Sequence, residues 1–502
     1  MLTRRQLGLG ALAVGALGFS SSTAHDYASR QTFDHFERVF REAGAPGQPT
    51  ETNERGRLAW GASYVMFAFT RMYEAYRDTA YLDRFIIDAD QVLAGRDSER
   101  GFKDYRGLSL PAWQAAGAYT VGFATLTDAS GQPLLEVRSA LSYADEATAT
   151  VSAGTSTSRF TLEVRNARYG RVASFPDLSL DPASPDYAVK RIHDAYPTPT
   201  MVTARDPRPA PVGGIVPVLG ETRLSVKPMI FAVHTGMITY PMAAFARIVL
   251  HDGHLTKYRG KALEYLQAVK EAVAVHEREW RPEGHLIWVK GMPLPYDGTE
   301  QPTNQWLALG LTYAELAAAT GDPFYRDRAL RMARSFGGEL KPDAGDAYVW
   351  SYWPSFGKTY NGYTADQNVS EYTPSIAGAR QIEDLSHGGI DVEFAALAFR
   401  HKIYYRGIDL ARIARTYTRN LATTGPDGLP TTNARLDGTG GPLNAEGSLQ
   451  AGRWMAVAPW DAGVFTHSRS IYDARAVQPA QGAYPASYLA NMAYLNWFTR
   501  RS

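Results

Sequence analysis

The chain has 502 residues with 52 basic and 51 acidic side chains, and a formal charge of +1 leaves no field to draw in nucleic acid or an anionic membrane surface. It contains no cysteine, which excludes disulfides, thiolate zinc sites, iron–sulfur clusters and cysteine nucleophiles. With 45% hydrophobic and 12% aromatic residues there is material for a large core, and any chemistry falls to Tyr, His, Asn, Arg and carboxylates.

The first 24 residues carry paired arginines (Arg4, Arg5), an apolar run from Gly8 to Phe19 and the small-residue stretch Ser22-Thr23-Ala24. That order is the one found in a twin-arginine (Tat) signal peptide, and the run is too short to span a bilayer. The expected product is a periplasmic or secreted protein, residues 25–502, with no stable membrane anchor. Gly8-x-Gly10-x-x-Ala13 imitates a dinucleotide loop, but no strand precedes it and it belongs to the export signal.

From Leu58 the apolar positions recur with helical spacing (Ala62, Val65, Phe69, Met72, Tyr76). They break at Arg77-Asp78-Thr79 and resume at Leu82, Phe85, Ala89 and Leu93, the pattern of a helical hairpin. The plan repeats from Met242 around His251-Asp252-Gly253 to Val273. It repeats again from Trp306 around Gly321-Asp322-Pro323, and from Val392 through Gly407 to Tyr417. Gly321 supplies a helix stop, while Asp322-Pro323 supplies an N-cap with proline at the first helical position. Unequal spacing of the turns argues against a short-period solenoid. The expected fold class is mainly α, a closed toroid of helical hairpins in one catalytic domain, with a β-rich insertion at about 118–220. Within that insertion Phe160, Leu162 and Val164 alternate with polar residues, and 121–128 and 134–141 are weaker strand candidates. Nine prolines between Pro176 and Pro217 favour extended, irregular chain.

Seven aromatics fall within the sixteen residues from Tyr348 to Tyr363, where composition predicts about two. Their spacing follows neither helix nor strand. The expectation is a loop whose rings, Trp350, Tyr352, Trp353 and Tyr360 among them, face a cavity and stack on sugars, with Trp288 and Tyr296 of similar character. Beyond it lies Glu383-Asp-Leu-Ser-His387-Gly-Gly, just ahead of an amphipathic helix. The positive end of that helix is expected to lower the pKa of His387 and favour a neutral base. His234 and Asn304 also stand at helix starts, so the three polar groups are expected to converge on one face. His251-x-x-His254 sits in a turn without a third ligand, and Ser355-x-x-Lys358 lacks its partner motifs, so no metal or other cofactor is expected.

Taken together, the export signal, Leu58-Ala-Trp60 with Met72-Tyr73, Arg96-Asp97, Leu110-Pro-Ala-Trp113, His234-Thr-Gly, Asn304-Gln, Trp350-x-Tyr352 and the Glu383-to-Gly388 block resemble polysaccharide lyases of the α/α-toroid type. The likeness is greatest to polysaccharide lyase family 38, whose members act on alginate or glucuronan. The resemblance implies β-elimination on a polyuronide partner. His387 or His234 would be base and neutraliser, Tyr352 or Tyr360 the acid, and Asn304 a carboxylate ligand. Trp350, Trp353, Trp288, Trp113 and Glu383 would bind substrate. Three other readings remain open on the residues alone: a glycoside hydrolase using a carboxylate pair from Glu383, Asp384, Asp391 and Glu393, a uronate C5-epimerase, and a glycan-binding exported protein without catalysis.

Overall fold

The computed structural model describes residues 25–195, 202–475 and 484–501, so the expected export signal lies outside the described residues. The hairpins appear where the periodicity predicts them. Ser63–Tyr76 is followed by Ala80–Ala94, Ala232–Leu250 by Arg259–Ala274, Thr303–Thr320 by Pro323–Glu339, and Leu385–Arg400 by Gly407–Arg415. The turn at 321–323 works as its residues dictate. Gly321 takes the left-handed conformation (φ 70) that ends the first helix, and Asp322 accepts a hydrogen bond from the Phe324 N–H at 2.9 Å ahead of the second.

The first helix of each pair belongs to an inner set that is almost wholly buried. Ser63–Tyr76 packs on Ala232–Leu250, which packs on Thr303–Thr320, and that on Leu385–Arg400. Leu385–Arg400 meets the 3-10 segment Leu449–Trp460, which packs on Ser487–Arg501, and this last helix returns to Ser63–Tyr76. Contacts at three levels show that the inner helices run parallel. At one end the Trp60 ring meets His234 and Asn304 meets Glu383. Midway, Arg71 and Tyr240 both reach Glu393. At the far end Arg247 and His401 both reach Glu315. The four helices beginning at Ser63, Ala232, Thr303 and Leu385 therefore all start at the His234 and Asn304 end.

The β-structure is more extensive than the mainly α expectation allows, and that fold class is corrected here. The chain is 48% helical and 16% strand, a mixed α and β fold with several small antiparallel sheets. One four-stranded sheet has the order Val202–Arg205, Pro133–Ser139, Gly122–Thr127, Ser225–Val226. The other runs Arg171–Leu178, Phe160–Asn166, Ala147–Ala153, Gly220–Arg223. Their inner faces share a core of their own, with Leu135, Val137, Leu162, Val164 and Val202 buried, distinct from the helical core. Two-stranded ribbons add the rest, among them Gln114–Ala115 with Met229–Ile230. Such short, long-range pairings leave no periodic trace in the sequence, which is why helical spacing dominated the expectation. No helix among the described residues is long and apolar enough to cross a membrane.

Candidate functional site

The site is built on the first turn of the Leu385–Arg400 helix. Asp384 is its N-cap, and one carboxylate oxygen accepts from the backbone N–H of Ser386 at 2.9 Å and of His387 at 3.0 Å. The other oxygen lies 2.9 Å from His387 Nδ1. A carboxylate can only accept here, so Nδ1 carries the hydrogen and Nε2 is turned away from Asp384. The turn leaves His387 with 26% of its side chain exposed. Burial works against a charge on His387, but the Asp384 carboxylate, with Glu383 behind it, outweighs burial and raises the pKa to about 9. The expected lowering by the helix start is thus corrected: a carboxylate in hydrogen-bond contact is stronger than the partial charge of a helix end. His387 is an imidazolium at neutral pH. Asp384 is half-buried, and His387 holds its carboxyl well below the usual range.

Behind this pair stand two buried carboxyls. Glu383 accepts from the backbone N–H of Asp384 at 2.8 Å and from Asn304 Nδ2 at 3.4 Å, and Asp391 accepts from Trp350 Nε1 at 2.8 Å. Burial pushes both up, and Glu383 is raised further by Asp391, so the pair holds a proton at neutral pH. The two glycines after His387 have a packing reason. A Cβ on Gly389 would lie 2.7 Å from Arg453 Cβ, and one on Gly388 would lie 3.2 Å from Trp454, so the Leu449–Trp460 segment approaches the helix only because those side chains are missing.

Tyr352 reaches His387 through backbone pairing. Its N–H donates to Gln381 O at 3.0 Å, and Glu383 N–H donates to Trp350 O at 3.0 Å. Thr303 N–H donates to Tyr352 O at 3.0 Å, which ties the same strand to the helix carrying Asn304. The Tyr352 and His387 rings lie edge-on, 5.4 Å between centroids. Burial, then the charges of Glu383, Tyr296 and Asp384, push the Tyr352 phenol well above its ordinary value, so it is un-ionised at rest.

His234 lies at the start of the neighbouring parallel helix and is buried among Trp60, Tyr119 and Phe231. Burial lowers its pKa to about 3, so it is neutral. Asn53 sets the tautomer. Its side-chain oxygen accepts from Ala59 N–H at 3.1 Å, which turns the amide N–H toward His234 Nδ1 at 3.2 Å. Nδ1 is therefore the acceptor, and Nε2 carries the hydrogen.

Several expected roles do not survive the packing. Trp113 and Trp350 are buried, with their indole N–H groups already bonded to Val92 O and to Asp391, both at 2.8 Å, so neither is a sugar platform. Trp353 and Trp288 are buried as well, packed on Tyr296 at 4.9 and 6.0 Å. The aromatic run serves the core because its backbone pairs with 381–383 and turns these rings inward. Tyr360 carries the Arg380 guanidinium 5.5 Å from its ring centroid, and among the described contacts none joins it to His387. Glu383 is at the site, buried behind Asp384.

Sequence reasoning missed Asn53, Tyr64 and Arg453. Arg453 Nη1 donates to Ser386 O at 3.0 Å, its Nη2 bonds the Tyr64 hydroxyl, and its charge opposes that of His387. Only the glycine pair at 388–389, read as a mark of close approach, could have pointed to it. Glu383, Asp384 and His387 each offer one ligand atom within 4.8 Å of the others, the spacing of a cation site. However, His387 Nδ1 is already committed to Asp384, and a cation there would have to displace that hydrogen. No known family model matches the chain, and no curated protein is significantly similar to it.

Proposed function

We propose that this protein is an exported polysaccharide lyase that cleaves a polyuronide of the alginate or glucuronan kind by β-elimination. The observation that carries the reading is a His387 imidazolium, charged up to about pH 9, standing against Tyr352 with the Asn304 amide bonded to the neighbouring Glu383. Elimination from a uronate requires its carboxylate to be neutralised, so that the hydrogen on C5 becomes acidic. His387 Nε2–H and the Asn304 amide supply that neutralisation, while Nδ1–H remains on Asp384, which holds both the ring and its charge. His387 is then a neutraliser and not a base. His234 presents an N–H rather than a lone pair, because Asn53 occupies Nδ1. Proton exchange falls to Tyr352. As phenolate it takes the C5 proton; the C5–H electron pair becomes the C4=C5 bond, the C4–O4 pair leaves with O4, and the phenol returns its proton to that oxygen. Ionising a half-buried phenol is costly, and the imidazolium beside its ring supplies the counter-charge.

The hydrolase reading has one observation in its favour: Glu383 is held protonated and Asp384 ionised, the pattern of an acid and base pair. Asp384, however, already accepts from Ser386 N–H, His387 N–H and the imidazole, and His387 holds its carboxyl well below the usual range, which makes it a weak base for activating water. Incubating the purified protein with polyglucuronate and alginate while following ultraviolet absorbance tests the proposal. A rise from the unsaturated uronate product is expected. New reducing ends without that absorbance, or an unchanged polymer, would overturn it.

A further inference from the structure

At the end of the inner helices opposite His387, a crevice enclosing about 1300 Å³ of space continuous with solvent opens among Tyr348, Arg400, Lys402, Tyr404, Tyr405 and Arg406. Its wall is the chain that ends the Leu385–Arg400 helix. Two side-chain-bearing residues there adopt the left-handed backbone, Lys402 (φ 54) and Tyr405 (φ 56). Lys402 N–H donates to Phe399 O at 2.9 Å and Ile403 N–H to Ala398 O at 2.8 Å, a helix stop in which glycine is the usual residue at position 402. Tyr405 has a structural reason to be there, since its hydroxyl donates to Ala333 O at 3.0 Å. Lys402 has none. It is exposed, and its ammonium forms no ion pair or hydrogen bond among the described residues. Strain kept where a free cation lines a crevice points to use of that cation.

The surroundings fit one chemistry. Arg400, Lys402 and Arg406 line the crevice with one acid, Asp409, whose carboxylate accepts from Arg406 N–H at 2.9 Å and from the Tyr348 hydroxyl at 3.3 Å and pairs with the Arg406 guanidinium at 3.3 Å, while Arg400 Nη2 donates to Glu393 at 3.3 Å. Arg400 keeps its buried Nε without a partner. Tyr404 is 39% exposed and lies against Gly337, where a Cβ would come within 3.1 Å of the ring. We infer that this crevice is a second binding site, for an anionic saccharide, with the Lys402 ammonium taking a carboxylate and the Tyr404 ring taking the apolar face of a sugar. That the saccharide is the polyuronide rests on the proposed activity. A chain gripped here lies away from His387, so the site tethers polymer and raises its local concentration instead of cutting it.

Affinity electrophoresis tests this without turnover, in gels containing polyglucuronate, a neutral cellulose derivative or DNA. The wild-type chain should be retarded by polyglucuronate alone. Lys402→Gly relieves the backbone and should fold at least as well, yet weaken retention about fivefold, and adding Tyr404→Ala should weaken it about tenfold further. Activity on oligomers too short to span both sites should be unchanged. Retention unaffected by either variant, or equal retardation in the neutral or DNA gel, would overturn the inference. A chain that binds polyglucuronate through Lys402 but releases no unsaturated product would instead sink the lyase proposal and leave the crevice standing.

Discussion

The two ends of the inner helices use the same residue types to opposite purposes. From the middle of the inner helices to the far end, Arg71 donates to Glu74 at 2.6 Å and to Glu393 at 3.0 Å, Tyr240 bonds Glu393 at 2.6 Å, and Arg247 pairs with Glu315. Burial opposes these charges, yet Arg71 and Arg247 hold Glu74 down at about 2, and Glu315 is lowered as well. There each acid answers a base, and the product is cohesion. At the near end the pairing is incomplete by design of the turn: Asp384 satisfies one side of His387 and leaves a charged N–H facing outward, beside an un-ionised phenol. A site needs unspent hydrogen-bonding capacity, and a core cannot tolerate it.

The contrast can be broken from either end. His387→Ala should lower kcat/KM on polyuronide by about 10³ to 10⁴, measured by product absorbance, with little change in the denaturation midpoint. Glu315→Gln removes the nearer of Arg247's two buried counter-charges, leaving Glu74 at 3.5 Å, and should reverse the pattern, costing about 3 kcal/mol of stability in denaturant titrations while the folded fraction keeps its activity. Acidity offers a sharper cut. Because the His387 pKa is raised, its charge is complete below the ordinary histidine value and is lost as pH rises through about 9, so kcat/KM should fall through that pH. Asp384→Asn removes the group that raises it and should move this alkaline limb toward pH ~6.5, which a pH profile of the two proteins would show. The smallest effect is expected of Trp113→Phe: about 1–2 kcal/mol of stability and an unchanged KM, whereas a sugar-stacking role would raise KM.

How much of this was legible differs by residue. The hairpins were, because a stripe every three to four residues, Arg77 at a break and Gly321-Asp322-Pro323 at a turn are local signals. The strand at Phe160–Asn166 was legible from its alternation, but its partners were not, since a ribbon such as 114–115 with 229–230 is specified by contacts more than a hundred residues apart. At the site, His387, His234 and Asn304 stood out as polar groups at helix starts, and the parallel packing explains why those starts share one end. The tryptophans misled. An irregular aromatic run reads equally well as a cavity wall or as core, and only the pairing of 350–352 with 381–383 turned the rings inward.

The amino-acid order alone therefore carried the helices, their stops and the identity of the polar groups at their starts, since each depends on neighbours a few positions away. Protonation state, tautomer and exposure came from the assembled molecule. The charge on His387, the hydrogen on His234 Nε2 and the burial of Trp113 are set by Asp384, Asn53 and Val92, partners whose distance and orientation exist only once the chain has packed.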